Sequence, residues 1–306
     1  VKLTLLILRR LLRLALILFV LVTATFCLMR LAPGGPFSSE RALPPDVEKA
    51  LTARFGLDQP LHVQYVRTLS GIVRGDFGPS LKHRDLTVRE IIAGRLPASL
   101  LVGAIALLLA VTTGTAAGVV SALRARRPAD YALTALSVLG ISLPMFVIGP
   151  LLQLIFAMRL QWLPVAGYGS WSMLVLPAVT LSLPFSARVA RLTRAGMLEV
   201  LSADFIRTAR SKGLPESAVV VRHALRSALL PVVSFLGPAA ATLITGSVVV
   251  ERIFNIPGLG REFVEAALNR DYTLVMGTTV LYGALVAVFN MLADVLHGLM
   301  DPRART

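Results

Sequence analysis

Residues 204–231 read DFIRTARSKGLPESAVVVRHALRSALLP, a polar and basic stretch set between two long apolar blocks. They are patterned for two short helices rather than for a linker. Leu201, Phe205, Thr208 and Ala209 recur at helical spacing while Arg207, Arg210 and Ser211 share another face, which predicts an amphipathic helix. Gly213 ends it, because glycine accepts the left-handed conformation that closes a helix, and Pro215 is preset for the first turn of the next one. In that second piece Ala218, Val221 and Leu225 form the expected apolar stripe, with Arg222 and Arg226 one turn apart opposite it. The pattern is that of a helix-turn-helix elbow standing at a membrane surface.

The flanking blocks explain why a membrane is expected. Of 306 residues, 55% are apolar and 16% charged, and the mean hydropathy of +0.73 is one that soluble domains seldom reach. A net charge of +14 also suits nucleic acid. Here, however, the basic residues stand beside apolar spans, as anionic headgroups require, and nucleic acid is excluded as a partner in favour of membrane lipid. Cys27 is the only cysteine and lies in an apolar run, so the chain has no disulfide framework and no cysteine metal cluster.

A spanning helix needs about 20 mostly apolar residues. Six stretches qualify, at about 11–29, 98–123, 131–158, 174–197, 228–250 and 274–300. The first follows Lys2, Arg9, Arg10 and Arg13 in the manner of a signal peptide, but RLAPGGP beyond it holds no small-x-small cleavage site, so it is read as a retained helix. Residues 30–96 are polar and patterned. Val47, Leu51 and Phe55 mark one short amphipathic helix, Leu61, Tyr65, Leu69 and Ile72 mark another behind Pro60, and GDFGPS at 75–80 is a turn. They predict a small folded external subdomain. Trp162, Tyr168 and Trp171 suit a membrane interface, and the loop ERIFNIPGLGREFVEAALNRDY at 251–272 holds one more short amphipathic helix.

Charge sets the expected orientation. Of the 31 Lys and Arg residues, 17 fall at the N-terminus, the 124–127 turn, the elbow region and the C-terminus. Long loops cross regardless of charge, so the short ones decide, and they place both termini and the elbow inside the cell.

No GxxxxGK[ST] stretch is present, so nothing here cradles a nucleotide. No paired aspartates, Ser–His pair or HExxH sits within a span, which argues against an intramembrane protease. His62, His83 and His223 show no ligand spacing. Pro144, Pro150, Pro177, Pro184 and Pro238 concentrate in spans three to five, where each removes a helical hydrogen bond; they are read as kinks lining a pathway, beside the plainer reading that prolines are common in membrane helices. Glu251, Asn269 and Asp271 are placed at an outer mouth that meets an incoming peptide or a delivering receptor, or else in a solvated loop. Asp294 and His297, three apart near the end of the last span, are read as a structural pair.

The elbow resembles the EAA loop of ATP-binding-cassette importer permeases, in the form of the peptide and nickel branch. Arg207, Thr208 and Ala209 stand where the Glu-Ala-Ala triplet falls and Gly213 takes the glycine. Two letters of the triplet are replaced, and the later Leu-Pro pair falls on Leu225 and Arg226, with a proline only at Pro231. RTARSKGL followed by RHALRSALLP matches the peptide-permease form closely, and LAPGGPF and GDFGPS also resemble the B-type subunits of oligopeptide permeases.

The resemblance implies an all-α, six-span helical bundle of the type I importer permease kind. Residues 1–306 are then one transmembrane permease domain, 30–96 an external (periplasmic) subdomain and 198–228 a cytoplasmic coupling loop. It implies a non-catalytic, multi-pass subunit of the bacterial inner membrane, with no cofactor of its own. ATP and Mg would sit on two ATPase subunits gripping Phe205, Arg207, Thr208, Ala209, Arg210 and Gly213, with Phe205 as apolar anchor. A second, non-identical permease and an extracytoplasmic peptide-binding protein complete the implied assembly. Oligopeptides lead as cargo; dipeptides, nickel chelates and glutathione stay open, as does a secondary transporter driven by an ion gradient.

Overall fold

The computed structural model describes residues 2–31, 34–37, 44–83, 85–245 and 248–300. Residues 32–33 of the LAPGGPF stretch, the DPRART end and the side chains of Lys2, Arg9 and Arg10 lie outside the described residues. In chain order the helices are α1 (Lys2–Leu31), α2 (Pro45–Arg54), α3 (Leu61–Arg74), α4 (Val88–Leu123), α5 (Pro128–Ser142), α6 (Met145–Leu152), α7 (Trp171–Leu201), α8 (Asp204–Ser211), α9 (Glu216–Ala218), α10 (Leu225–Ala228), α11 (Leu230–Ile244), α12 (Val248–Ile253), α13 (Leu259–Leu268) and α14 (Tyr272–Met300). π-helical turns follow α6 at Gln153–Arg159 and α9 at Val219–Ala224. Among the described residues the only β pairing is an isolated bridge between Pro79 and Thr87.

Five helical segments are long and apolar enough to cross a bilayer: Leu12–Leu31, Val88–Leu123, Trp171–Leu201, Leu230–Ile253 and Tyr272–Leu299. α5 together with Met145–Arg159 is long and apolar enough for a sixth only if the two limbs count as one, and this pair is bent by 108°. The sequence predicts one run over 131–158. Pro144 breaks it, because proline forces its neighbour Leu143 out of the helical region, to φ −79° and ψ 125°, and offers no N–H to the preceding turn. The second span also differs from expectation. Its helix begins at Val88, ten residues before the apolar run at 98, and carries Pro97 inside it.

The chain divides into two compact units, Val1–Pro97 with Gly258–Ala287, and Ala98–Pro257 with Val288–Thr306. In the first, Val22 and Phe26 of α1 pack on Met276 and Val280 of α14, with Tyr65, Leu69 and Ile72 of α3 against them. Three of the four residues of the predicted apolar stripe of α3 therefore seat it, while Leu61 is exposed. Val88 and Ile91 pack with Ala266, Leu274 and Val275 in a second cluster. Asp271 ties this unit together: its carboxylate accepts from the Ser80 hydroxyl, from the N–H groups of Leu81 (3.2 Å), Lys82 (3.3 Å) and Leu274 (3.1 Å), and from Thr273 Oγ1 (3.0 Å). Buried Glu262 similarly meets His83 Nε2 at 2.8 Å and Arg95 Nε at 3.2 Å.

The second unit holds two apolar clusters. One gathers Val102 and Ala106 of α4, Leu174 and Leu181 of α7, Leu243, Val250 and Phe254. Buried Glu251 accepts from Ser99 Oγ at 2.8 Å. The other lies under the elbow. Between them α4 runs close along α7: Cβ atoms at Gly114 and Gly118 would lie 2.5 and 2.6 Å from the carbonyl oxygens of Ser186 and Ala190. Small residues four apart permit this approach, the usual means of packing helices where lipid supplies no hydrophobic drive.

Candidate coupling site

The elbow starts where α7 ends. Ser202 caps α7 and Ala203 is extended at φ −74° and ψ 150°, so α8 begins with a fresh register at Asp204. That restart overturns the expected face. Leu201 no longer belongs to the same helix as Phe205, and α8 turns Ile206 (0% exposed) and Ala209 inward while Phe205 is 48% exposed. Thr208, Arg207 and Arg210 are exposed with it. Ile206 and Ala209 pack with Met197 of α7, Ala122 of α4, and Val219, Val220, Ala224 and Ala228.

The second half of the elbow differs for a related reason. The expected stripe of Ala218, Val221 and Leu225 assumes one uniform α-helix, but Val219–Ala224 is a π turn, whose i→i+5 bonds shift the angular spacing of side chains. Val219, Val220, Ala224 and Ala228 become the buried set, and Val221 is left 66% exposed. The outward surface of the elbow thus carries Phe205, Leu214 and Val221 among Arg207, Lys212 and Arg222. Leu214 is an exposed apolar residue that periodicity did not single out.

The turn is set by its own residues. Gly213 has φ +74°, and its N–H donates to the Arg210 carbonyl at 2.9 Å. Across it, Arg210 meets Glu216 through Nη2–Oε1 at 2.6 Å and Nε–Oε2 at 3.1 Å. The guanidinium holds the Glu216 carboxyl below its ordinary range, and the carboxylate in turn raises Arg210. Arg207 reaches Asp204 at 3.6 Å, one turn away on the same helix. Both arginines therefore have partners within the chain, and Arg210 is the one that braces the bend.

One contact fixes the elbow to α7, and a second ties α7 to α5. A Cβ at Gly196 would lie 2.4 Å from the Ala228 carbonyl oxygen, so α7 and α10 touch backbone to backbone. Two turns before the end of α7, Arg194 forks onto Asp130 at the start of α5, with Nε–Oδ1 at 2.7 Å and Nη2–Oδ2 at 2.9 Å. Asp130, 2% exposed, also accepts from Ser121 Oγ at 2.5 Å and from the Arg126 N–H at 2.9 Å. The sequence holds one signal for this site, an acid just after Pro128 in an otherwise basic turn, suited to a helix N-terminus.

The remaining residues singled out from sequence are scattered. Pro144 opens α6 at the 108° corner, and Pro150 lies within α6 just before its π turn. α7 runs unbroken through Pro177, which is buried, and Pro184, while Pro238 lies exposed within α11. Glu251 and Asp271 are buried and held by the hydrogen bonds given above, and Asn269 is exposed at the end of α13. His297 Nδ1 lies 3.0 Å from Ser234 Oγ. Among the described residues no group of His, Cys, Asp or Glu is arranged to hold a metal ion.

Long apolar helices, close small-residue packing and a basic elbow fit a multi-pass membrane protein. Residues 114–306 match the family described as binding-protein-dependent transport system inner membrane component, and residues 3–102 match its N-terminal membrane component. The chain belongs to this family. It is 48% identical over 301 residues to the oligopeptide transport system permease protein OppB of Salmonella typhimurium, and equally to that of Escherichia coli K12, covering 98% of each chain. It is 44% identical over 288 residues to the dipeptide transport system permease protein DppB of Bacillus subtilis, covering 94% of each. The fold is shared with solved importers: the inward-facing MetNI methionine ABC transporter at TM-score 0.55 and 17% identity, covering 69% of this chain and 96% of that one, and an amino acid ABC transporter with histidines at 0.52 and 17%, covering 68% and 92%.

Proposed function

We propose that this chain forms part of the translocation pathway of an ATP-driven peptide importer, with oligopeptides as its main cargo, and that separate ATPase subunits drive it through the elbow. One observation supports the elbow's role above others: Phe205 stands half-exposed beside fully buried Ile206. An apolar ring that does nothing for its own chain's core is suited to a partner's groove. Because Ile206, Ala209 and the Asp130–Arg194 fork tie the elbow to the ends of the spans, movement imposed on Phe205 is passed to α7 and α4 rather than absorbed.

On this reading the elbow and both termini face the cytoplasm, as the basic residues of the short loops favour. Residues 30–96 face outward, and a second permease and an extracytoplasmic peptide-binding protein complete the assembly. Pro144, Pro150, Pro177, Pro184 and Pro238 are assigned to helices lining the pathway. Asn269, the exposed member of the proposed outer mouth, is placed toward the incoming peptide. Reconstitution with the partner ATPases is the test. ATP-dependent uptake of a labelled oligopeptide that survives proton and sodium ionophores supports the reading. Uptake by the chain alone, collapsing with the ion gradient, defeats it.

A further inference from the structure

The first unit contains a cavity of about 390 Å³ whose wall carries four arginines, Arg30, Arg54, Arg67 and Arg74, and a single acid, Asp76. A cavity of this volume is in the range that takes a small ligand. Arg30, at the end of α1, is hydrogen-bonded to buried Gln64, and its guanidinium lies 5.4 Å from the Phe26 ring centre and 5.2 Å from that of Tyr272. Arg54 lies 5.8 Å from the Phe55 ring centre. Asp76 is turned to its own loop, accepting from the Gly78 N–H at 2.9 Å. Among the described residues none of the four guanidinium groups has a carboxylate partner. Four guanidinium groups around one hollow, with no carboxylate paired to them among the described residues, constitute an anion site.

Its depth narrows the ligand. Met29 and Arg30 close the spanning segment Leu12–Leu31, and Tyr272, Thr273 and Met276 open the segment Tyr272–Leu299, so the wall is built from the ends of two membrane helices. Headgroups lie at that level, and an aromatic such as Tyr272 is suited to it. Guanidinium forks match phosphate oxygens two at a time, and the phosphate of a lipid headgroup presents such oxygens at this depth. We infer that this cavity binds a phosphate-bearing anion, presented as the headgroup of an anionic phospholipid.

The test uses the full chain purified in detergent, titrated with phosphatidylglycerol or phosphatidylethanolamine, with bound lipid counted by native mass spectrometry. The expected result is at least about tenfold preference for phosphatidylglycerol, lost in the Arg54→Gln, Arg67→Gln, Arg74→Gln triple variant at an unchanged melting temperature. Arg30 is left in place because it also holds Gln64. If the triple variant melts early, the single Arg67→Gln and Arg54→Gln variants carry the test, each expected to lose about threefold or more. Excess inorganic phosphate distinguishes the source: failure to displace the lipid assigns the site to the headgroup, and displacement assigns the same site to free phosphate. Equal binding of both lipids by the wild-type chain, or wild-type phosphatidylglycerol affinity in the arginine variants, overturns the site.

Discussion

Arg194 and Asp130, 64 positions apart, meet through a two-pronged fork in which both carboxylate oxygens are engaged. Ser121, the Arg126 N–H and, at 3.5 Å, Thr134 Oγ1 complete the shell around Asp130, so the acid accepts five hydrogen bonds and meets almost no water. The fork joins the helix that leads into the elbow to the turn between α4 and α5.

Asp130→Asn removes the charge and leaves the guanidinium without its partner. Removing one partner of the fork leaves the other charge uncompensated, so the variant is expected to unfold at a lower temperature than the wild-type chain. Thermal unfolding in detergent measures it. The double variant Asp130→Asn, Arg194→Gln should recover part of the loss, and strict additivity of the two single changes would show that no coupling exists.

Phe205 and Ile206 are neighbours with opposite roles, and alanine at each separates them. Ile206→Ala empties a fully buried site and should cost about 2–5 kcal/mol of stability. Phe205→Ala should change stability by no more than about 0.5 kcal/mol, yet weaken association with the ATPase subunits and lower transport in step. Full transport with Phe205→Ala would remove the ring from the coupling role.

Gly213 occupies the left-handed region, and nothing lies within 4 Å of where its Cβ would be. Strain rather than collision is therefore the cost of substitution. Gly213→Val should destabilise the turn by roughly 1–2 kcal/mol and Gly213→Asn by less, since asparagine visits this conformation more readily. Insertion should be unaffected, while the ratio of peptide moved to ATP hydrolysed falls. Proteolysis at the elbow alongside a coupled transport assay reports both.

The Arg210–Glu216 brace carries a pH dependence. Its carboxyl titrates lower in the folded elbow than when free, so the bond contributes fully above the ordinary carboxylate range and is lost as pH falls through the lowered value. Protection from hydrogen exchange at Lys212 and Gly213, taken relative to the intrinsic amide rate at each pH, should therefore fall at acid pH below that range. In Glu216→Gln protection should already be lower at neutral pH and should not show this acid transition. Identical exchange profiles for the two proteins would remove the brace.

The parts of this molecule that were legible in the sequence are those set by near neighbours. Gly213 and Pro215 punctuate the elbow, the stripe Leu61, Tyr65, Leu69 and Ile72 marks α3, and each spanning helix is announced by its apolar run. Which side of α8 faces inward was not legible, because the bend at Ser202 and Ala203 resets the helical phase and the π turn at Val219–Ala224 resets it again. Buried Asp130, Glu251 and Asp271 were also hidden. Their main side-chain partners, Arg194, Ser99 and Ser80, stand 64, 152 and 191 positions away, and no local pattern encodes such pairings.

The corner at Pro144 has a consequence in simple lengths. α5 has 15 residues, about 22 Å of helix, whereas the hydrocarbon layer is about 30 Å thick. The limb beyond the corner, running to Arg159, is just as short. Neither traverses the oil alone, and at the joint the Gly140 carbonyl receives no bond from Pro144. One imino acid thus divides the stretch into two limbs, each too short to cross by itself.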